Sequence, residues 1–188
     1  MVKVYFLTSN LHKVLEAKKI LRKYNIEVEM VKGPKVEIQS PSLERIVKFA
    51  AEYVKDKVHH RPLLIEDSGL FIESLSGFPG PYSHYVYDTI GIKGILKLME
   101  GVENRRAYFE AAVACLCSDD VVDVVTGRVY GTIANEPRGS KGFGFDPIFI
   151  PEGYDKTFAE LGEDVKSEIS HRAKALKAIA LRISEIYR

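Results

Sequence analysis

Apolar residues in the first third of the chain alternate between strand and helix periodicities. Three short segments carry the apolar runs or the apolar–polar alternation of β-strands. Two longer segments carry apolar residues three and four positions apart, as in amphipathic helices. The predicted strands cover residues 2–7, 26–31 and 63–66, and the predicted helices cover 11–24 and 41–54, the second capped by Ser40 with Pro41 as its first residue. This order predicts an α/β fold with a partly parallel sheet.

The second half of the chain changes to long β-rich runs followed by a terminal helix. The predicted elements are strands over 107–117 and 121–134, a short helix over 91–100 and a final helix that Ser170 caps. The two strands are expected to form a hairpin through Ser118-Asp119-Asp120. Gly127 and Gly131 predict a bulge or bend in the second strand.

The stretch from Leu63 to Leu70 joins a buried strand to a pair of carboxylates. Three apolar residues lead directly into Glu66 and Asp67, and Ser68-Gly69 is expected to break the strand. Ligands of open α/β sheets lie at such strand ends. Side chains alternate along a strand, so one carboxylate can serve a site while the other anchors a neighbouring loop. The alternative is a strand that runs out into a solvated acidic turn.

Composition narrows the class of protein. The chain of 188 residues suits one domain, or two lobes sharing a sheet, with 46% hydrophobic and 28% charged residues. A net charge of +1 gives no indication of nucleic-acid binding, and no apolar stretch approaches the ~20 residues of a membrane span. The N-terminus lacks the pattern of a signal peptide. Cys115 and Cys117 are too close in sequence to be expected to bridge, so we expect buried free thiols in a reducing cytoplasm.

Cations stand at the starts of two predicted helices, where the helix dipole favours acids. Lys13 lies in the first turn after Thr8-Ser9-Asn10, where Ser9 or Asn10 can cap the helix and leave open amides that favour an anion. His171 and Arg172 follow Ser170 in the same way. A docked polyphosphate would explain a lysine at such a position. The alternative in both places is a solvated first turn.

Three further features have competing interpretations. Lys48 lies off the apolar stripe of its helix, between Glu44 and Glu52, and its spacing favours an exposed ion-pair ladder. Residues 137–147 are rich in glycine and phenylalanine, a composition that suits either contact with a base or a connection covering the core. Tyr82, Tyr85 and Tyr87 follow a Pro-Gly turn and could line a pocket, form a subunit contact or pack in the core.

Taken together, these stretches resemble the inosine triphosphate pyrophosphatase family, which cleaves purine nucleoside triphosphates carrying non-standard bases. The matching motifs run from the first strand to the last helix: Thr8-Ser9-Asn10-Leu11-His12-Lys13, Glu66-Asp67-Ser68-Gly69-Leu70, Gly77-Phe78-Pro79-Gly80, Pro137-Arg138-Gly139, Gly142-Phe143-Gly144-Phe145-Asp146-Pro147, Phe158-Ala159-Glu160 and Ser170-His171-Arg172. Ser167 stands where the family usually has asparagine, and Phe145 where it commonly has tyrosine or tryptophan.

The resemblance implies an elongated mixed β-sheet flanked by helices, with two lobes and the site in the cleft between them. It also implies a homodimer, Mg²⁺ as cofactor, and hydrolysis of ITP, dITP or XTP to the nucleoside monophosphate and pyrophosphate. By position, Asp67 matches the proton acceptor and, with Glu37, the metal ligands. The positions matching substrate contacts are Thr8, Ser9, Asn10, Lys13, Lys48, Ser68, Phe143, Gly144, Phe145, Asp146, Lys166, His171 and Arg172.

Three functions remain open at this point. The first is a pyrophosphohydrolase that removes non-standard purine nucleotides before polymerases use them. The second is a nucleoside triphosphate hydrolase with another cleavage point or a broad base range, like the related septum-associated pyrophosphatases. The third is a nucleotide-sensing module without turnover. A carboxylate pair beside several lysines disfavours the third, because binding alone seldom needs a base beside a metal.

Overall fold

A mixed seven-stranded sheet forms the centre of the computed structural model, which describes residues 1–34, 36–118 and 122–187. The strands are β1 (Val2–Leu7), β2 (Ile26–Val31), β3 (Leu63–Ile72), β4 (Pro79–Gly80), β5 (Arg106–Leu116), β6 (Val122–Ile133) and β7 (Phe149–Pro151). The helices are α1 (Leu11–Arg22), α2 (Leu43–Val54), α3 (Ser83–Thr89), α4 (Gly91–Leu98), α5 (Phe158–Ile169) and α6 (His171–Ile186), with short 3₁₀ turns at Glu73–Leu75 and Asp146–Ile148.

The sheet is parallel at one end and antiparallel at the other. Its order is β2-β1-β3-β5-β6-β7, with β4 paired to β3. Strand β1 runs parallel to β2 and β3. The remaining neighbours, β3 with β5, β5 with β6 and β6 with β7, are antiparallel. The prediction of an α/β fold with a partly parallel sheet is confirmed.

The apolar core divides the molecule into two lobes. In the first lobe, α1 and α6 pack on one face of the sheet and α2 packs on the other. A further cluster joins the far ends of β3, β5 and β6 to Met99, Phe149 and Phe158 in the second lobe. The cleft between the lobes opens where β1 and β2 end.

Strand β3 does not break at Ser68-Gly69, so that prediction was wrong. The strand continues to Ile72 and pairs with β5 along its whole length. Gly69 serves a different purpose, because a Cβ there would overlap the backbone carbonyl of Gly80. The missing side chain therefore lets β4 approach β3, which then pairs Leu70 with Gly80.

The two glycines of β6 also mark close approaches instead of a bulge. The β5–β6 register is continuous from Arg106↔Thr132 to Leu116↔Val122, which corrects the predicted bend. A Cβ on Gly127 would overlap the backbone of α6, and one on Gly131 would overlap the carbonyl of Ile150 in β7. The predicted turn at Ser118-Asp119-Asp120 lies largely outside the described residues.

The helices of the structure differ from the predicted ones in some of their ends and in their number. Helix α2 begins at Leu43, two residues after the predicted Pro41, because the Ser42 hydroxyl caps it by accepting from the Arg45 amide at 3.3 Å. Helix α4 ends at Leu98 instead of residue 100. Helices α3 and α5 were not predicted, and in α5 Gly162 with φ +81° interrupts the apolar spacing. A reciprocal cap between Thr157 and Glu160 starts α5.

The expectation of free thiols was wrong. Cys115 and Cys117 form a disulfide, with their Cα atoms 5.4 Å apart. Residues two apart in a strand share one face, and this separation lies within the usual range for a bridge. The bridge is buried in the core beneath α6. The prediction of a reducing compartment, which rested on free thiols, therefore loses its support.

The exposed tyrosines and the character of the helices complete the description. Tyr82, Tyr85 and Tyr87 are all exposed, Tyr85 by 70%, so their interpretation as core was wrong. Across the described residues, no helix has the length and apolar character needed to cross a membrane.

Candidate active site

A cavity of about 800 Å³ opens between the two lobes. Its walls come from the turn after β1, the loop after β2, the inner face of α2, the middle of β3, helix α3, the loop 142–146 and the start of α6. It brings together fourteen of the fifteen predicted site residues: Thr8, Ser9, Asn10, Lys13, Glu37, Asp67, Ser68, Phe143, Gly144, Phe145, Asp146, Lys166, His171 and Arg172.

Lys48 is the predicted site residue that does not line this cavity. Helix α2 turns Ile46, Val47 and Ala50 toward the cavity and leaves Lys48 exposed on its other side. The exposed position agrees with the interpretation from its spacing. Its contact with substrate, which the resemblance implies, stays a prediction.

Side chains of the turn after β1 accept hydrogen bonds from three backbone amides of this segment. The Asn10 side chain caps α1 by accepting from the amides of His12 at 3.0 Å and Lys13 at 3.2 Å. The amide of Asn10 in turn donates to the Thr8 hydroxyl at 3.1 Å. Asn10 is thus the cap. The sequence predicted amides open to an anion here, but those of His12 and Lys13 already donate to the Asn10 side chain. The Lys13 ammonium supplies the positive charge at this end of the cavity.

A continuous chain of ion pairs crosses the cavity floor. Lys13 Nζ lies 2.9 Å from Glu66 Oε2, and Glu66 Oε1 lies 3.0 Å from the Arg172 guanidinium. Arg172 also pairs with Glu16, whose other oxygen is 2.7 Å from Lys166 Nζ. Lys166 ends the chain on Asp146, at 2.6 Å. Three cations and three carboxylates alternate from the β1 turn to the loop 142–146, so the chain is neutral as a whole.

Burial and neighbouring charge set the pKa values along this chain. Burial by itself would raise the pKa of Glu66, but Arg172 and Lys13 hold it at about 2. Burial opposes ionisation of Glu16 as well, and Arg172 and Lys166 lower its pKa nevertheless. Burial raises the pKa of Asp146, against the charge of Lys166 and the Phe143 amide. The charges of Glu66 and Glu16 raise the pKa of Arg172 despite its burial, so it stays protonated.

Asp67 lies outside the neutral chain and faces the loop after β2. Burial raises its pKa above the ordinary 3.8, Lys13 opposes the rise, and the carboxylates of Glu66 and Glu37 add to it. The Ser68 amide donates to Asp67 Oδ1 at 2.9 Å and orients the carboxylate. Glu66 and Asp67 therefore divide the two tasks expected of them, one anchoring α1 and α6 and the other facing Glu37.

The donor set near Asp67 fits a hard divalent cation. Glu37 and Asp67 both line the cavity, and their charges are close enough for Glu37 to affect the pKa of Asp67. Among the described residues no three His, Cys, Asp or Glu side chains form a metal-binding group. Mg²⁺ usually takes one or two carboxylates and completes its shell with water and substrate phosphates, so two carboxylates suffice.

The opposite end of the cavity carries an aromatic ring beside charged groups. Lys166 Nζ lies 4.5 Å from the ring centroid of Phe143, and the Arg172 guanidinium lies 5.6 Å from it. The Phe143 amide donates to Asp146 at 2.9 Å. Gly142 adopts φ +77°, and a Cβ there would overlap the Asp146 carboxylate. The glycine therefore lets the loop fold tightly over Asp146.

His171 is buried and uncharged, which corrects its interpretation as a cationic donor. Burial is the main cause that lowers its pKa well below the ordinary 6.5, and Arg172, Lys166 and Lys13 lower it further. Its Nδ1 atom and the Arg172 Nε atom are buried without hydrogen-bond partners. The first turn of α6 is not solvated. The side chain of Arg172 is only 1% exposed and contacts Glu66, Glu16 and Ser68.

Several residues of the ion-pair chain and of the cavity wall were missed from the sequence. Glu16 joins Arg172 to Lys166 and lies one helical turn beyond Lys13, a spacing that could have indicated it. His12 stacks on Phe143. Helix α3 adds Ser83, His84, Tyr87 and Asp88 to the wall. Ser83 fixes α3 to β3 by accepting from the Leu70 amide at 2.8 Å and donating to the Gly80 carbonyl at 2.7 Å.

The fold and the cavity define an α/β protein with a charged cleft at the ends of its parallel strands, where this class binds ligands. The chain belongs to the Ham1 family, whose model matches residues 4–181. The resemblance to the inosine triphosphate pyrophosphatases is thereby confirmed.

Relatives and solved structures agree with this assignment. The chain is 59% identical over 182 residues to a dITP/XTP pyrophosphatase of Ignicoccus hospitalis, which covers 97% of both chains. It is 55% identical over 179 residues to the dITP/XTP pyrophosphatase of Methanopyrus kandleri, covering 95% of both. The structure of a HAM1 protein from Coxiella burnetii superposes with a TM-score of 0.84 at 29% identity, covering 98% of this chain and 100% of that one.

Proposed function

We propose that this protein hydrolyses non-standard purine nucleoside triphosphates, ITP, dITP and XTP, to the nucleoside monophosphate and pyrophosphate. It would thereby remove these nucleotides before polymerases use them. The observation that carries the proposal is one cavity that joins Lys13 and Asp67 at one end to Phe143 and Asp146 at the other. Relatives at 59% and 55% identity named dITP/XTP pyrophosphatase support it.

At the phosphate end, Lys13 and the residues of the β1 turn bind the triphosphate, with Lys48 approaching from α2. Lys13 is already matched by Glu66, so it offers a positioned ammonium without leaving net charge buried. Asp67 accepts the proton of the water that attacks the α-phosphorus. Its raised pKa suits a general base better than that of an ordinary carboxylate, since proton affinity rises toward the working pH.

Glu37 and Asp67 are the residues we assign to Mg²⁺. When bound, the ion supplies charge neutralisation at the phosphates and lowers the pKa of a bound water. Both donors are hard oxygens, which favour Mg²⁺ over zinc.

At the base end, Phe143 offers a flat face and the first turn of α6 offers donors. Hypoxanthine presents an O6 acceptor and an N1–H donor, whereas adenine reverses both. Arg172 donates toward O6, and Asp146 or a backbone carbonyl accepts from N1–H. Adenine would leave these buried groups unpaired, which can give large discrimination. The Nε atom of Arg172 and the Nδ1 atom of His171 are buried polar atoms that a base could satisfy.

We also propose a homodimer. Support for the dimer is the exposed aromatic surface of Phe78, Tyr82 and Tyr85, since large exposed aromatic side chains mark interaction surfaces. Size-exclusion chromatography with light scattering tests it, and a monomeric mass at micromolar concentration would contradict it.

The decisive experiment is a nucleotide panel with Mg²⁺ and chromatography of the products. We expect dITP, ITP and XTP to give the monophosphate and pyrophosphate, and dATP and dGTP to react far more slowly. Asp67→Asn is the matched inactive control, and chelation of Mg²⁺ should abolish turnover. Orthophosphate and a nucleoside diphosphate as first products would contradict the proposed cleavage point. Equal rates for all nucleotides would contradict the base selectivity.

A further inference from the structure

An aromatic stack connects the two ends of the cavity. The imidazole of His12 lies on the ring of Phe143 with centroids 5.0 Å apart and planes inclined by 18°. His12 belongs to the first turn of α1, beside Lys13, whereas Phe143 belongs to the loop after β6. Both side chains line the cavity. The stack therefore bridges the phosphate end and the aromatic end.

The backbone on both sides of this stack is fixed, but the imidazole is not enclosed. The His12 amide donates to the Asn10 cap, and the Phe143 amide donates to Asp146. His12 is nonetheless exposed to solvent and Phe143 only half-buried. The imidazole can therefore turn away by rotating its side chain, without moving α1.

We propose that His12 is a residue that controls entry of the nucleobase, because its imidazole and a purine compete for the same face of Phe143. This inference rests on the proposed function, which places the base on that ring. Two rings at 5.0 Å leave no room for a third ring between them. A purine must therefore displace His12 before it stacks, whereas a base-free polyphosphate bound beside Lys13 need not.

The competition has a definite signature. When the binding-competent arrangement of a protein is only partly populated, its apparent affinity for the ligand is reduced in proportion to the populated fraction. Loss of the His12–Phe143 stack should thus strengthen binding of a purine nucleotide by about two- to tenfold, the range expected from an aromatic pair. Binding of inorganic triphosphate should not change. Nothing in the proposed chemistry of Asp67 would produce this difference between the two ligands.

The experiment is calorimetric titration of IMP and of inorganic triphosphate, each with Mg²⁺, into wild type, His12→Ala and His59→Ala. His59 is an exposed histidine outside the cavity lining and serves as the control. We expect His12→Ala alone to bind IMP two- to tenfold more tightly, with triphosphate unchanged. Weaker IMP binding in His12→Ala would make the imidazole a supporting platform and overturn the inference. Unchanged IMP binding, or equal changes for both ligands, would also overturn it.

A second measurement follows the stack directly. The chain contains no tryptophan, so His12→Trp introduces a single tryptophan at the stack, which can be excited at longer wavelength than the ten tyrosines. IMP should shift its emission toward the solvent-exposed wavelength, and inorganic triphosphate should not. His59→Trp is the matched control. An emission that IMP leaves unchanged would refute displacement. Neither titration needs turnover, so absence of dITP hydrolysis would refute the proposed function without deciding this inference.

Discussion

Glu66 offers a sharp test of the electrostatic account. Its carboxylate is fully buried and shared between Lys13 and Arg172, one oxygen to each. Glu66→Gln keeps the size and shape of the side chain and removes its charge. The amide can still accept from Arg172, and Arg172 keeps Glu16, so the fold should persist. What is lost is the charge that balances Lys13 and Arg172.

The magnitude follows from the pKa of Glu66. A fall from the ordinary 4.5 to about 2 corresponds to about 3 kcal/mol of stability at neutral pH. Since the folded protein lowers this pKa, the stabilisation is complete above pH 4.5 and disappears as the pH falls toward 2. Breaking a buried ion pair from one side has an effect of similar size, about 3–5 kcal/mol.

The assay is urea denaturation of wild type and Glu66→Gln at several pH values between 7 and 2.5. We expect the variant to be less stable by about 3 kcal/mol at pH 7, and the difference to shrink steadily below pH 4.5. Glu27→Gln, on an exposed face of β2, should change stability by less than about 0.5 kcal/mol at any pH. A Glu66→Gln difference that stays constant down to pH 2.5 would refute the account, because it would reflect packing instead of charge.

Three further predictions follow from the same geometry. Asp67→Asn should lower turnover by about 10²–10⁴-fold. Because burial raises the pKa of Asp67 and so destabilises its charged form above that pKa, the variant's unfolding free energy at pH 7 should not fall; a loss of stability would assign Asp67 a structural role. Arg172→Lys cannot keep all three contacts to Glu16, Glu66 and Ser68. The ratio of kcat/KM for ITP to kcat/KM for ATP should therefore shrink by about tenfold or more. Equal losses for both substrates would contradict a role of Arg172 in recognising the base. Gly127→Ala should cost about 1–3 kcal/mol in denaturation because its Cβ meets the α6 backbone, whereas Gly33→Ala meets only side-chain atoms; equal effects would disprove the close approach.

The sequence by itself determined the elements and most of the cavity residues. Strands β1 and β2 and helix α1 follow directly from their periodicity, with ends within two residues of the prediction. The motifs at the ends of these elements converge because parallel strands end at one edge of the sheet. The pair Glu66-Asp67 was predicted to divide between two faces, and alternation along β3 produces that division.

Only the tertiary structure decided how the charged residues are used. Glu16 and Arg172 are 156 residues apart, and nothing local to either indicates the partner. His171 was predicted to be a cation, but burial beside Arg172 and Lys166 makes it neutral. A pKa depends on solvent exclusion and on charges from other elements, which periodicity does not describe.

Glycine and cysteine show the same division between local and distant causes. Gly69, Gly127 and Gly131 look like strand breakers because local propensity disfavours glycine in strands. In the structure each one lies where another backbone approaches: β4, α6 and β7 in turn. The bridge between Cys115 and Cys117, by contrast, has a local cause at the end of β5, which spacing alone did not reveal. A sequence pattern reports the preferences of its own segment, whereas a close approach is set by segments that pack against it from elsewhere in the chain.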